Sequence, residues 1–157
     1  MRDLPKLIAS VVLCEGVGII ASFFTIPSIP TWYAHLTKPG FSPPDWLFGP
    51  VWILLYFLMG ISLYLVWREG LHKKKVHIAV NYFLLQLGFN FFWSIIFFGM
   101  HQPFLALIDI AAMLYAIIMT MEHFKLVSKP AMYLLVPYLA WVTFATILNF
   151  SIVLLNI

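Results

Sequence analysis

The sequence predicts an all-α integral membrane protein, a bundle of five transmembrane helices with a long proline- and tryptophan-rich loop between the first two. Three observations carry that class. Of the 157 residues, 63% are hydrophobic and 10% charged, whereas charged residues make up roughly a quarter of soluble globular domains. The apolar residues gather into five segments, about Leu4–Ile26, Trp46–Trp67, Ile78–Phe98, Pro103–Met121 and Pro130–Leu155. Each is near or above the ~18–20 residues that cross a ~30 Å hydrocarbon core as a helix. None shows the polar/apolar alternation of a barrel strand, and in lipid a helix keeps its backbone bonds within the segment. The third observation is the interruption. The stretch Pro27–Trp52 holds six of the ten prolines and three of the six tryptophans. Proline fixes φ and lacks an N–H, so regular helix is not expected there. A stiff aromatic loop (27–45) between two membrane spans reads as a lid over a pocket.

The length fits one domain over 1–157. Glu15 interrupts the first apolar run and no small-residue cleavage site follows, so the start reads as a retained span rather than a signal peptide. Charge orients the chain. Arg2 and Lys6, Arg68 with Lys73, Lys74 and Lys75, and Lys125 with Lys129 fall on one side of a five-span bundle, and only Lys38 falls opposite. The positive-inside rule places the N-terminus in the cytoplasm and the loop and C-terminus outside. Basic residues do not interleave with aromatics in any polar segment, which excludes a nucleic-acid surface.

In span one, Ser10, Cys14, Gly18 and Ser22 recur every four residues, a small-residue stripe along which a second helix can approach. Glu15 near mid-span is costly in lipid. It is either a protonated or hydrogen-bonded group facing the bundle, or a proton-relay or ligand residue. Span two is framed by Trp46 and by Trp67 with Arg68, and places Trp52, Tyr56, Met59 and Leu63 on one face. Span three carries Tyr82, Gln86, Asn90, Trp93 and Phe97 on one stripe, whose two amides must bridge helices or line a polar cavity. Its opposite face, with Gly88 and Gly99 framing Phe92 and Ile95, is a candidate contact face for a second subunit. The short turn at Met100–Pro103 makes spans three and four antiparallel neighbours. Span four has Ala106, Asp109, Ala112 and Ala116 along one side, with Asp109 reaching interfacial water or a partner donor. Span five opens at Pro130, is expected to kink at Pro137, and then presents Tyr138, Trp141 and Ala145. Asn149 drifts roughly 80° from Trp141 at ~100° per residue.

No phosphate-binding loop, nucleophile elbow, zinc-protease motif or paired-cysteine motif is present, and the single cysteine, Cys14, reads as a small core residue. The five histidines form no compact ligand pair, so no metal site is expected; His35 and His101 are the two that could reach a haem iron.

The run W-Y-x-x-L-x-K-P-x-x-x-P-P-x-x-x-F-x-P-V-W, from Trp32 to Trp52, resembles the TspO/MBR family of tryptophan-rich sensory proteins and peripheral-type benzodiazepine receptors. Gln86–Ser94 (Q-L-G-F-N-F-F-W-S) and Val136–Asn149 (V-P-Y-L-A-W-V-T-F-A-T-I-L-N) extend the resemblance over essentially the whole chain. It implies a five-helix bundle, commonly a homodimer, whose first loop closes over a pocket for porphyrins and benzodiazepine-site ligands. Carried over by motif, Trp32, Tyr33, Pro43 and Pro44 belong to the lid, while Trp52, Asn90, Trp141 and Ala145 line the pocket. The stripes add Tyr56, Gln86, Trp93 and Tyr138 to the candidate ligand-binding set. The function implied is a membrane tetrapyrrole-binding sensor or transport-related receptor with no obligatory cofactor, its ligand a porphyrin or haem-type tetrapyrrole. Some bacterial members degrade protoporphyrin photo-oxidatively, and in that enzymatic alternative Trp141 and Trp52 are the redox-active indoles. A partner-regulating membrane subunit is a third reading. The chain ends Leu155-Asn156-Ile157 without the Tyr and Arg of the animal cholesterol motif. Sterol binding is therefore not carried over, and the ending and short basic loops resemble bacterial members, in a bacterial cell membrane.

Overall fold

A computed structural model describes residues 3–157; Met1 and Arg2, and with Arg2 one of the orienting charges, lie outside the described residues. Six helices form: α1 (Leu4–Ser28), α2 (Asp45–Trp67), α3 (Lys74–Ser94), α4 (Pro103–Lys125), α5 (Lys129–Leu134) and α6 (Val136–Leu155). With α5 and α6 taken together, five helical stretches are long and apolar enough to cross a membrane. Among the described residues there is no strand. The helices are apolar around most of their circumference, and Ile8, Phe23, Leu54, Phe92, Phe104 and Tyr115 are exposed on the outside, as a lipid-facing surface requires.

The proline-rich stretch is shorter than expected at both ends. Pro27 lies in the last turn of α1 and Pro50 in the second turn of α2, so the connecting segment runs only from 29 to 44. Each proline forfeits one i→i−4 bond near the loop end of its helix. Helix nevertheless continues, because the flanking backbone in an apolar surround finds its best partners along its own axis. Pro137 acts as expected on the last span. It leaves the Tyr133 carbonyl without its helical donor, and the chain divides at Leu135 into α5 and α6. The Leu135 amide turns back to the Met132 carbonyl (3.1 Å), and the Leu135 carbonyl accepts from Leu139 (2.9 Å), so α6 restarts at once. Ser128 caps α5 by accepting from the Ala131 amide (3.4 Å), with Pro130 in the first turn.

Packing pairs α1 with α2, α3 with α4, and α4 with α6. The small stripe of α1 serves this intramolecular packing: Ser10 and Cys14 are fully buried. The closest approach falls at Gly60 of α2, where a Cβ would lie 2.7 Å from the Val11 Cα. Toward the loop Gly18 takes the ring of Tyr56 between the two helices (a Cβ there would lie 2.5 Å from Cε2).

Past Ser94 the helix α3 widens into a π-helical turn, Ile95–Gly99, closed by the Met100 amide on the Ile95 carbonyl at 2.8 Å. Such turns often mark functional regions. Here it turns Phe97 and Phe98 into a second core cluster with Tyr33, Ala106, Leu148 and Ile152, on the loop side of the main core. His101 follows with φ 56°, the left-handed conformation that lets the chain reverse into α4. The anticipated Gly88/Gly99 contact face does not form as one surface. A Cβ on Gly99 would meet Phe24 of α1 at 3.1 Å, so α1 covers it, whereas Gly88 has open space around it.

Candidate ligand pocket beneath the first loop

A cavity of about 310 Å³ occupies the loop-side half of the bundle, walled by α1, α2, the end of α3 and α6, and topped by Tyr33. It lies on the loop side of the close approach of α1 and α2 at Gly60, where α2 and α6 make little contact. The wall between α1 and α2 is incomplete. Ile19, Ile26 and Ile53 line the cavity yet are 60%, 65% and 64% exposed, so the cavity opens sideways onto the apolar flank of the bundle.

Six of the twelve candidate residues lie on the wall: Tyr33, Trp52, Tyr56, Trp93, Trp141 and Ala145. Trp52 stands on α2 and Trp141 on α6. Trp141 meets Phe48 edge-on (6.1 Å), and Trp52 tilts against Tyr56 (5.6 Å). Gln86, Asn90 and Tyr138 sit one layer deeper, buried in a hydrogen-bonded chain. The Tyr56 hydroxyl donates to Asn90 Oδ1 (2.6 Å), Asn90 Nδ2 to the Tyr138 hydroxyl (2.8 Å), and that hydroxyl to Gln86 Oε1 (2.7 Å). The amides of α3 thus bridge α2 and α6, one of the two roles expected for them, and Tyr56 is the member of the chain that reaches the wall.

Trp32, Pro43 and Pro44 lie off the wall and shape the segment above it. Trp32 stacks on His101 (4.5 Å, 13°) and meets Phe97 edge-on (5.4 Å). The Ser28 hydroxyl donates to the Phe98 carbonyl (2.8 Å) and takes His101 Nε2 at 3.0 Å, tying the end of α1 to the imidazole of that stack. Pro44 is the extended residue from which α2 starts. His35 is bonded through Nδ1 to the Thr31 carbonyl, and among the described residues no three His, Cys, Asp or Glu side chains converge on a metal position.

Two further fastenings hold the segment down. Lys38 donates to the Tyr33 carbonyl (2.9 Å) and lies 4.6 Å from the centre of the Tyr33 ring, a cation–π contact. Burial pushes the Tyr33 phenol above its ordinary range, with the Asp45 charge adding to it and the Ser42 contact opposing. Loop docking therefore favours the neutral phenol and weakens only as pH rises past the ordinary tyrosine value of about 10. The second fastening is Asn156, at the end of α6. Its Oδ1 accepts from the Thr37 amide and its Nδ2 donates to the Thr37 carbonyl, both at 2.9 Å, so one side chain completes the backbone of the loop as a neighbouring strand would. Asn156→Ala should leave the thermal midpoint within a few degrees but raise amide exchange across residues 29–44 at least tenfold, as followed by hydrogen–deuterium exchange in lipid nanodiscs.

Several wall residues fall outside the candidate set. Phe48 and Gly49 belong to the first turns of α2, and Ser94 and Phe97 to the π-helical end of α3. Asn149 lines the cavity despite its drift from Trp141. Its Oδ1 accepts from Trp93 Nε1 (3.1 Å) and its Nδ2 donates to the Pro103 carbonyl (2.9 Å), tying α6 to the start of α4. Glu15 also lines the cavity, and its cost in mid-span was the one signal that marked it.

Comparison with known proteins agrees with this architecture. The model of the TspO/MBR family matches residues 10–155. The tryptophan-rich protein TspO of Archaeoglobus fulgidus is 49% identical over 154 residues, 98% of this chain and 99% of that one. The human translocator protein is 43% identical over 122 residues, 77% of this chain and 72% of that one. The tryptophan-rich sensory protein of Cereibacter sphaeroides is 39% identical over 126 residues, 80% of this chain and 77% of that one. With a match over nearly the whole length and five apolar helices in one bundle, the chain belongs to the TspO/MBR family and is a multi-pass membrane protein.

Proposed function

We propose that the cavity is a receptor site for a flat, largely apolar tetrapyrrole of the protoporphyrin type, held between indoles and covered by the first loop. The observation that carries this reading is the placement of Trp52 and Trp141 on two different helices of one apolar cavity. Indoles supply large, rigid contact area at low entropic cost, and small-molecule sites are mostly aromatic walls with few polar groups. At about 310 Å³ the cavity is at the small end of the ~300–1,000 Å³ usual for ligand sites. A macrocycle would therefore use the opening between α1 and α2 as well, one edge projecting past Ile19 and Ile53. A smaller benzodiazepine-site ligand would fit within the walls.

The basic residues at the α2–α3 and α4–α5 connections favour an orientation with those ends in the cytoplasm and the loop outside, and we take the membrane to be a cell membrane of bacterial type. The site is then presented to the outer side and to the outer half of the bilayer, as suits a sensor or transport-related receptor. Titrating protoporphyrin into the protein in nanodiscs should quench tryptophan emission, and Trp141→Phe should weaken binding about tenfold. An absence of quenching together with an unchanged affinity of the variant would remove the tetrapyrrole reading.

The same pair of indoles favours one alternative, light- and oxygen-dependent breakdown of the bound macrocycle. Illumination of the complex in air would then produce a bilin-like absorption band in the wild type and none in Trp141→Phe.

A further inference from the structure

The polar groups on the cavity wall divide into two sets. Most are engaged within the protein: Ser22 with the Ile19 carbonyl (2.6 Å), Thr25 with the Ala21 carbonyl (3.3 Å), Tyr56 with Asn90, and Trp93 and Asn149 with each other. Glu15 is not. Its carboxyl makes no hydrogen bond or ion pair among the described residues, and it is the only formally charged side chain on the wall. It is also the deepest wall residue on α1, roughly 20 Å below the loop end of that helix at ~1.5 Å per residue. On the facing helix the deepest wall residue is Tyr56, whose ring rests on Gly18, about one turn nearer the loop than Glu15. Glu15 therefore stands at the floor of a cavity whose roof is the loop.

An unpaired carboxyl in an apolar site is expensive in its charged form and is relieved by any group that offers it a proton or a positive charge. It also acts against like charge: a ligand carboxylate brought to the floor would lose its water and meet a second carboxyl there. The indole N–H groups of Trp52 and Trp141 make no hydrogen bond among the described residues either, and they lie above the floor on the other walls. These donors suit acceptors, whereas Glu15 suits donors.

We infer that Glu15 is the selectivity residue of this pocket, giving it a polarity: the end of the ligand that reaches the floor carries a hydrogen-bond donor or a positive charge, and ligand carboxylates stay toward the loop. Applied to the tetrapyrrole reading, on which this orientation rests, a dicarboxylic macrocycle sits with both acid arms at the loop end. The more general consequence is that the site prefers flat apolar molecules bearing an amine over their uncharged or acidic counterparts.

The test uses two ligand sets against the full chain in nanodiscs of zwitterionic lipid. One is protoporphyrin, its dimethyl ester and its aminoethyl amide; the other is aminomethylpyrene and methylpyrene. For wild type, the amine member of each set should bind at least tenfold more tightly than its neutral partner. Glu15→Gln, which keeps the shape, should erase that preference while moving the neutral members less than twofold, and Glu15→Asp should retain most of it. Equal amine preference in wild type and Glu15→Gln would overturn the assignment of Glu15, even if both bind protoporphyrin well. Pyrene binding with the expected charge preference and no binding of any macrocycle would leave Glu15 assigned and remove the tetrapyrrole reading. Should Glu15→Gln fail to fold, a wild type that shows no amine preference in either set overturns the inference by itself.

Discussion

Gly60→Leu should abolish a cooperative unfolding transition, and Gly60→Ala should cost about 2–3 kcal/mol, within the range of overpacking a well-filled core. The size of the effect follows from what a Cβ would strike. Its neighbours are the Val11 Cα at 2.7 Å and the Val11 amide nitrogen at 3.1 Å, both backbone atoms of α1. A side chain could rotate away, but a helix axis cannot without carrying its other contacts along. Relief by tilting α1 would lift Gly18 from the Tyr56 ring and widen the floor of the cavity. Thermal unfolding followed by intrinsic fluorescence in detergent measures the loss. Gly16→Ala, on the facing helix α1 with no heavy atom within 4 Å of the added carbon, serves as the control and should lie within ~0.5 kcal/mol of wild type.

The second large effect is expected at Asn90. In Asn90→Ala the Tyr56 hydroxyl loses its acceptor and the Tyr138 hydroxyl loses its donor, in a layer where both tyrosines are at most 5% exposed. Stranding a buried polar group costs about 1–3 kcal/mol, so the variant should be destabilised by about 2–4 kcal/mol. Tyr56→Phe removes one donor and leaves the Asn90 oxygen alone, and should cost about half as much. The quadruple variant Tyr56→Phe, Gln86→Leu, Asn90→Leu, Tyr138→Phe removes all four polar side chains of this hydrogen-bonded chain and should recover most of the loss, because an apolar replacement of similar shape leaves few groups unmet. Recovery would identify these bonds as interhelical fastening. A quadruple variant as unstable as Asn90→Ala would point instead to a packing role for the amide.

The contrast between these sites shows what a sequence can reveal. The spans are legible because a bilayer demands some twenty apolar residues and a helix to satisfy them, and Pro137 divides the last span because no residue can restore its missing donor. The faces are legible too: Gln86 and Asn90 point inward, as their stripe predicts, and Trp52 and Trp141 come to one cavity. Whether an inward amide meets a cavity or another side chain is not legible, since the stripe fixes its azimuth and leaves its partner open. Asn90 meets Tyr56 and Tyr138, which arrive from other helices. Helix runs through Pro27, beyond the expected end of the first span, and through Pro50, inside the expected span Trp46–Trp67, for a related reason. Local preference argued for a break, while the apolar surround held the backbone in helix. The π-helical turn at Ile95–Gly99 has no sequence signal beyond its closing glycine, and it brings Phe97 and Ser94 to the site. Glu15 announces itself by its cost, but the opening it faces lies between two helices whose close contact at Gly60 the stripes do not fix.

The internal satisfaction of most wall groups has a consequence for the breadth of ligands this site accepts. A site built to hydrogen-bond its ligand rejects close analogues by factors of ~10⁴ or more, because each missing heteroatom strands a protein group. In this cavity Ser22, Thr25, Tyr56, Trp93 and Asn149 are spoken for within the protein, so a ligand lacking any given heteroatom strands none of them. Apart from the charge preference that Glu15 imposes, discrimination then falls to outline, where a methylene more or less is worth only ~1–3 kcal/mol. Such a site is a generalist in scaffold: it sorts molecules by flatness, by width and by the charge they bring to Glu15, and chemically unrelated scaffolds of similar silhouette and charge compete for it on nearly equal terms.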